Sequence, residues 1–406
     1  MLRIIMVSLM WFAVADAQLL SQRLTEPSNI LERPHELLIY TPPSYDFDQR
    51  QQYPVLYLMD GEYNFNYVTG LIELWSNISP RLPEMIVVGI SGYDSDYYRH
   101  LMRPNWDSQG QPSENGAANL MLKAMVEEIE PVIAKKFRTN DLKILSGHSM
   151  GGLFTTYAAF TQPDAFDYYL AISPSLWWQA ETVKNVITEQ LKKSVPKTKL
   201  LMSLANEKGM GVHGFVETLE AQRYESLQFN FKHFPDESHG SVGLPTYEWA
   251  LGHIFAGYKL TERYFENDQA VVDYAQRLKK SYGHVLPINA AYLRNSCYAN
   301  CPANADNLAG IDEALSEHFP YDVAFFRVLV AKHLITEKQY KEAENWLKKT
   351  EKQTPDYYEL HHAWYLWHQQ QGHSADASKA LKKIKQLLQS NRLRQWQINE
   401  LNMPDD

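Results

Sequence analysis

The stretch KILSGHSMGG, residues 143–152, holds a serine between glycines at the end of an apolar run. Gly147-His148-Ser149-Met150-Gly151 fits the pattern G-x-S-x-G. A serine hydroxyl attacks only when a base takes its proton, so the pattern carries chemistry only with partners elsewhere in the chain. LKIL before it reads as a strand, and GLFTTYAAF after it as a helix with small residues at its start. Strand, motif and helix make a nucleophile elbow, a sharp turn that pushes the hydroxyl outward and needs glycine as neighbour. A phosphate-cradling loop would require G-x-x-x-x-G-K-[ST], and no lysine follows these glycines. The remaining alternative is a tight structural turn, which predicts no partners farther along.

In an elbow of this kind the base is a histidine on a loop after a late strand. FNFKHFPDESHGSVG supplies a strand and then His239. His148 lies inside the elbow, where a side chain next to the serine is expected to point away from it. His213 and His253 fall in or beside helical stretches, and His233 comes one strand-length early. His361, His362, His368 and His373 lie in a later helical region without the H-E-x-x-H metal pattern. An acid that orients the imidazole should lie between serine and histidine, just past a strand. KLLMSLANEKG places Glu207 there; Asp236 and Glu237 sit too near His239 in sequence for easy geometry. A solvated loop carboxylate is the alternative role for Glu207. An ester oxyanion needs two preorganised N–H donors. Met150, after the nucleophile, offers one, and Gly61 in YPVLYLMDGEYNF offers the other. Tyr63 and Phe65 either wall the site or pack.

The elements that must carry these residues alternate. HELLIYTPP, YPVLYLMD, MIVVGIS, LKILSG, YYLAIS, KLLMSLA and FNFKHF are short apolar runs bounded by Pro, Gly, Asp or Ser, as expected of strands buried on both faces. Between them lie helical stretches such as NLMLKAMVEEIEPVIAKKF, with Leu122, Val126, Ile129 and Ile133 at helical spacing. This alternation predicts an α/β three-layer sandwich with a mostly parallel sheet over residues 18–260. Beyond it the chain reads as helix: a linker over 261–305, then repeats over 306–395. AENWLKKTEKQ from Ala343 and ASKALKKIKQL from Ala377 align at an offset of 34 residues, the tetratricopeptide period, and GIDEALSEHFP from Gly310 resembles a degenerate earlier copy. Plain amphipathic hairpins are the alternative.

The 406 residues are 45% hydrophobic, enough for a large core, and the formal charge of −9 argues against a nucleic-acid binder, which usually carries a basic face. MLRIIMVSLMWFAVADA reads as a signal peptide over residues 1–17: Arg3, a short apolar stretch, then Ala15-Asp16-Ala17. A periplasmic or secreted mature protein without a membrane span is the expectation. In that compartment the two cysteines, Cys297 and Cys301, could close a local disulfide, and two thiols alone make a poor metal site. No cofactor and no metal are expected.

GHSMGG, YPVLYLMDG, AISPSLWW and ESHGSV, in that order and spacing over about residues 30–260, resemble the esterase D-like family of α/β-hydrolases, and within it the periplasmic siderophore-esterase type. The resemblance implies Ser149 as nucleophile, His239 as base, and Gly61 with Met150 as oxyanion donors. Some relatives of this type work with a Ser-His dyad, which leaves Glu207 open. Siderophore esterases generally lack the helical tail, so their substrate is not carried over. Trp177 and Trp178 then follow the strand after the elbow, either to stack on a sugar or aromatic acyl group or to pack in the core. The expected function is hydrolysis of a small-molecule carboxylic ester through an acyl-enzyme. Two alternatives stand beside it: a scaffold whose helical repeats hold a protein or peptide partner, and an acyltransferase using the same serine.

Overall fold

The computed structural model describes residues 21–46, 51–222, 224–301, 305–388, 398–399 and 401. The expected signal peptide lies outside the described residues. The seven apolar runs are strands: β2 (His35–Tyr40), β3 (Tyr53–Leu58), β4 (Ile86–Ser91), β5 (Thr139–His148), β6 (Tyr168–Ile172), β7 (Thr198–Leu204) and β8 (Leu227–His233). An eighth, β1 (Gln22–Glu26), was not expected. All eight form one sheet in the order β1-β2-β4-β3-β5-β6-β7-β8. β1 and β2 are antiparallel to each other, and β2 to β4; every other pairing is parallel.

Side chains alternate across the sheet and feed two cores. Leu56, Leu58, Ile144, Leu170, Ile172 and Leu201 face one side. There they meet α1 (Gly61–Glu73) and α8 (Gly243–Ile254). Val55, Tyr57, Leu145, Tyr169, Leu200 and Met202 face the other. That side is covered by α2 (Ser95–Met102), α3 (Ala118–Ala124), α4 (Glu130–Lys136), α5 (Met150–Thr161), α6 (Trp178–Leu191) and α7 (Val212–Gln222). The three-layer sandwich follows. The single helix expected over residues 119–137 is divided: α3 and α4 are joined by a wide π-turn at Met125–Ile129. Pro131 sits in the first turn of α4, and its missing N–H breaks the regular ladder there.

The helical region begins with α9 (Asp268–Tyr282), α10 (Ala290–Asn300), α11 (Ala305–His318) and α12 (Val323–Thr336), and ends with α13 (Tyr340–Glu351), α14 (Tyr358–Gln370) and α15 (Ser374–Leu388). α13 and α15 start 34 residues apart (374 − 340), and each packs on the helix before it, α12 and α14. The small residues Ala343 and Ala377 are both buried, as close helix packing requires. The buried cluster on the α1 and α8 side of the sheet runs on past residue 305. Leu308, Ile311, Leu315, Phe319, Val323, Phe326 and Val330 belong to the same buried cluster as Leu56, Leu58 and Ile172 of the sheet. Helical periodicity had shown that these helices have an apolar face, but not what that face covers. Cys297 and Cys301 lie at the end of α10 with their sulfurs 3.0 Å apart, close enough for the local pairing the sequence allows.

One buried ion pair ties three tail helices together. Arg327 on α12 and Asp312 on α11 are each 1% exposed. Arg327 Nε donates to Asp312 Oδ1 at 2.5 Å and Nη2 to Oδ2 at 3.2 Å; Nη2 also donates to Ser316 Oγ, and Nη1 donates to Gln353 Oε1. Lys349 of α13 also reaches Asp312. Removing one partner leaves the other charge buried and unpaired. Asp312→Ala should therefore cost about 3–5 kcal/mol of stability, read as a lower urea midpoint at unchanged slope.

Candidate active site

β5 ends at His148, and α5 starts at Met150. Ser149 alone makes the turn, with φ 57° and ψ −112°, a left-handed conformation unusual for a serine. Three backbone bonds hold it there. Ser149 N–H donates to Ile172 O at 2.9 Å, while its carbonyl accepts from Ser175 N–H and Leu153 N–H at 3.0 Å. The turn is so tight that a Cβ on Gly147 would lie 2.3 Å from the Gly151 carbonyl oxygen. The hydroxyl of Ser149 lies 3.3 Å from that of Ser175, which is buried.

His239 comes from the loop between β8 and α8. Its Nδ1 is hydrogen-bonded to Glu207 Oε1. Glu207 lies on the loop after β7, where Asn206 N–H donates to the Glu237 carbonyl at 2.9 Å and so draws the two loops together. The carboxylate that pairs with His239 is thus Glu207, not Asp236 or Glu237. The histidine side chain is 41% exposed and the glutamate 14%, so the imidazole reaches solvent while its acid is sheltered.

His148 departs from expectation. Its ring does not point away from the site but lies against His239, centroids 4.6 Å apart and planes tilted by 35°. Burial, then the nearby His239, hold its pKa down at about 4. It is therefore neutral near pH 7, an uncharged floor for the second imidazole.

Gly61 opens α1 and Met150 opens α5, so both backbone N–H groups lie in first helical turns, where amides have no intrahelical acceptor. A Cβ on Gly61 would fall 2.7 Å from the Ile90 carbonyl, so only glycine lets this turn approach β4. Of the aromatics expected at the mouth, Tyr63 is 85% and Trp177 49% exposed. Phe65 and Trp178 are instead buried, in the two different cores of the sheet. Adjacent residues at the start of a helix point in divergent directions, and only Trp177 of the pair faces solvent.

Residues 28–222 match the family described as "Putative esterase". That span covers β2 to β7 with the elbow and Glu207, and ends before His239. The "Siderophore enterobactin esterase" of Emericella nidulans is 30% identical over 153 residues, 33% of this chain and 49% of that protein. "Ferri-bacillibactin esterase BesA" of Bacillus subtilis is 32% identical over 146 residues, 31% of this chain and 49% of that protein. The chain spans about half the length of the curated relatives it matches. Among solved structures, an IroE-like serine hydrolase from Shewanella oneidensis shares 25% identity and a TM-score of 0.63, covering 73% of this chain and 99% of that one. Ser149, Glu207 and His239 all lie in the sheet-bearing region, on β5–α5, after β7 and after β8, and none lies in the helical tail. Among the described residues, no group of three or more His, Cys, Asp or Glu side chains is arranged to hold a metal ion, and no helix is long and apolar enough to cross a membrane.

Sequence reasoning missed Asp60, Ser175 and the placement of His148. Asp60 immediately precedes Gly61 at the end of a strand, and that position was the available signal.

Proposed function

We propose that the chain is a serine carboxylic-ester hydrolase. The observation that carries this reading is the His239–Glu207 hydrogen bond, with the His239 ring lying against His148 of the elbow that turns on Ser149. Ser149 attacks the ester carbonyl as His239 takes its proton, and Glu207 stabilises the imidazolium that forms. The Gly61 and Met150 N–H groups receive the negative charge on the carbonyl oxygen. His239 returns the proton to the leaving alcohol, then activates the water that frees the acid. The relatives are named as siderophore esterases, and the exposed aromatic side chains of Tyr63 and Trp177 suit stacking on an aromatic acyl group. The proposed substrate is therefore a siderophore-type ester, met outside the cytoplasm after export. α12 to α15 are proposed to be two tetratricopeptide-like units, a surface for a protein or peptide.

The test is covalent labelling with a fluorophosphonate, which traps an activated serine. The wild-type chain should label at Ser149 and Ser149→Ala should not; equal labelling of the two would remove the assignment. A panel of acetylated sugars, feruloyl esters and a catechol trilactone then ranks substrates, with the trilactone expected to show the highest kcat/KM.

A further inference from the structure

We infer that Asp60 is a positioning residue whose carboxylate holds the oxyanion loop and the nucleophile elbow in register, so that the Gly61 and Met150 amides converge on one point. This rests on the serine-hydrolase reading. Asp60 is the N-cap of α1, where an aspartate ordinarily accepts from the next amides of its own helix. Here it makes no such bond. Its Oδ2 instead accepts from the backbone N–H of His148 at 2.5 Å, at the end of a different strand. Its Oδ1 accepts from the Tyr98 hydroxyl on α2. Contact with the elbow is close on the other side as well. A Cβ on Gly151 would lie 2.6 Å from Asp60 Oδ2 and 2.8 Å from the Tyr98 oxygen.

The strands themselves join the two segments only as far as Met59, whose N–H donates to Ser146 O at 2.8 Å. Past that point the chain enters α1 through Gly61 and α5 through Met150, and the carboxylate bridges the gap. The acid is held there against its own preference. Burial pushes its pKa up to about 6, although hydrogen bonds from Tyr98 and His148 and the nearby His239 oppose the shift. Burial also pushes the Tyr98 hydroxyl up, so it stays protonated and donates. A carboxylate that gives up its local cap to cross to the elbow serves geometry rather than the helix that carries it. Misplacement of a catalytic group by about 1 Å costs on the order of 10²-fold in rate.

The test uses the full chain and three variants: Asp60→Ala, Asp60→Asn and Tyr98→Phe. Asp60→Ala removes the bridge, and kcat for a short p-nitrophenyl ester should fall about 100-fold, with KM within about threefold. Asp60→Asn should restore kcat to within about tenfold of wild type, because an amide can accept from the His148 N–H and donate to the Tyr98 oxygen. Tyr98→Phe should lower kcat a few-fold to about tenfold, again without moving KM. A folded Asp60→Ala chain that keeps kcat within about threefold overturns the inference. So does a parallel loss of kcat, KM and melting temperature that Asn does not rescue, which marks a residue needed only for the fold. If Asp60→Ala does not fold, Tyr98→Phe decides, and an unchanged kcat there overturns it. A wild-type chain that neither labels with fluorophosphonate nor turns over ester overturns the hydrolase reading, and this inference with it.

Discussion

Glu207→Gln should lower kcat by about 10⁴-fold while leaving KM within a few-fold. For His239 to take the Ser149 proton at Nε2, its other nitrogen must carry a proton and donate it. Glu207 Oε1 sits at Nδ1 and can only accept when ionised, so it fixes that tautomer. An amide in its place can turn its NH₂ to Nδ1 and leave the proton on the nitrogen that should receive one. Ser149→Ala and His239→Ala should each cost at least about 10³-fold, and the double variant little more, because the two act as one unit. A Glu207→Gln loss smaller than about tenfold, with the circular dichroism spectrum unchanged, would show a Ser-His dyad in which Glu207 is only a neighbour.

A chain cut after residue 305 should not fold. The cut removes Leu308, Ile311, Leu315, Phe319, Val323, Phe326 and Val330 from the core that also covers one face of the sheet. Phe319, for one, stacks on Tyr274 of α9 with ring centroids 5.9 Å apart. Burial of each such side chain contributes about 1.5–3 kcal/mol. Their summed loss rivals the roughly 5–15 kcal/mol that separates a folded from an unfolded domain. A cut after residue 355 leaves α11 to α13 in place and uncovers mainly Val328, Ala331 and Leu347, which pack on Leu360 and Ala363. That shorter chain should unfold cooperatively at a lower temperature and keep kcat/KM on a small activated ester within about threefold. Thermal melts followed by circular dichroism distinguish the two cuts. A soluble 305 truncate with a sharp transition and full activity would show that the hydrolase completes its core without the tail.

What could be read in the sequence and what could not divide along physical lines. Buried parallel strands announce themselves as unbroken apolar runs, so β2 to β8 were legible. β1, QRLTE, is an edge strand, mostly exposed and polar, and carries no such signal. The order serine, acid, histidine was legible because each residue follows a strand at the carboxyl end of a parallel sheet, where loops converge. Asp60 was not, since nothing in its neighbourhood says that its side chain crosses to another strand. Trp177 and Trp178 are alike in sequence; only the turn of the backbone between them decides which one meets water. The tail's helices were legible by their period, but their attachment to the sheet depends on contacts hundreds of residues apart.

Two of those contacts have a consequence for how the protein is made. Asn289 donates a hydrogen bond to the Ser76 carbonyl, and Tyr292 donates to that of Pro80 at 3.2 Å, across 213 and 212 residues of chain. During synthesis the N-terminal strands leave the ribosome long before these partners exist. At about 5–20 residues per second the delay is roughly 10–40 s. Through that interval Leu71, Ile72, Trp75 and Leu82 lack the residues of α9 and α10 that share their buried cluster in the finished protein. The nascent chain is then an adhesive surface that invites self-association or a chaperone. Slowing elongation between residues 80 and 290 should lower the soluble yield, whereas slowing it after residue 340 should not.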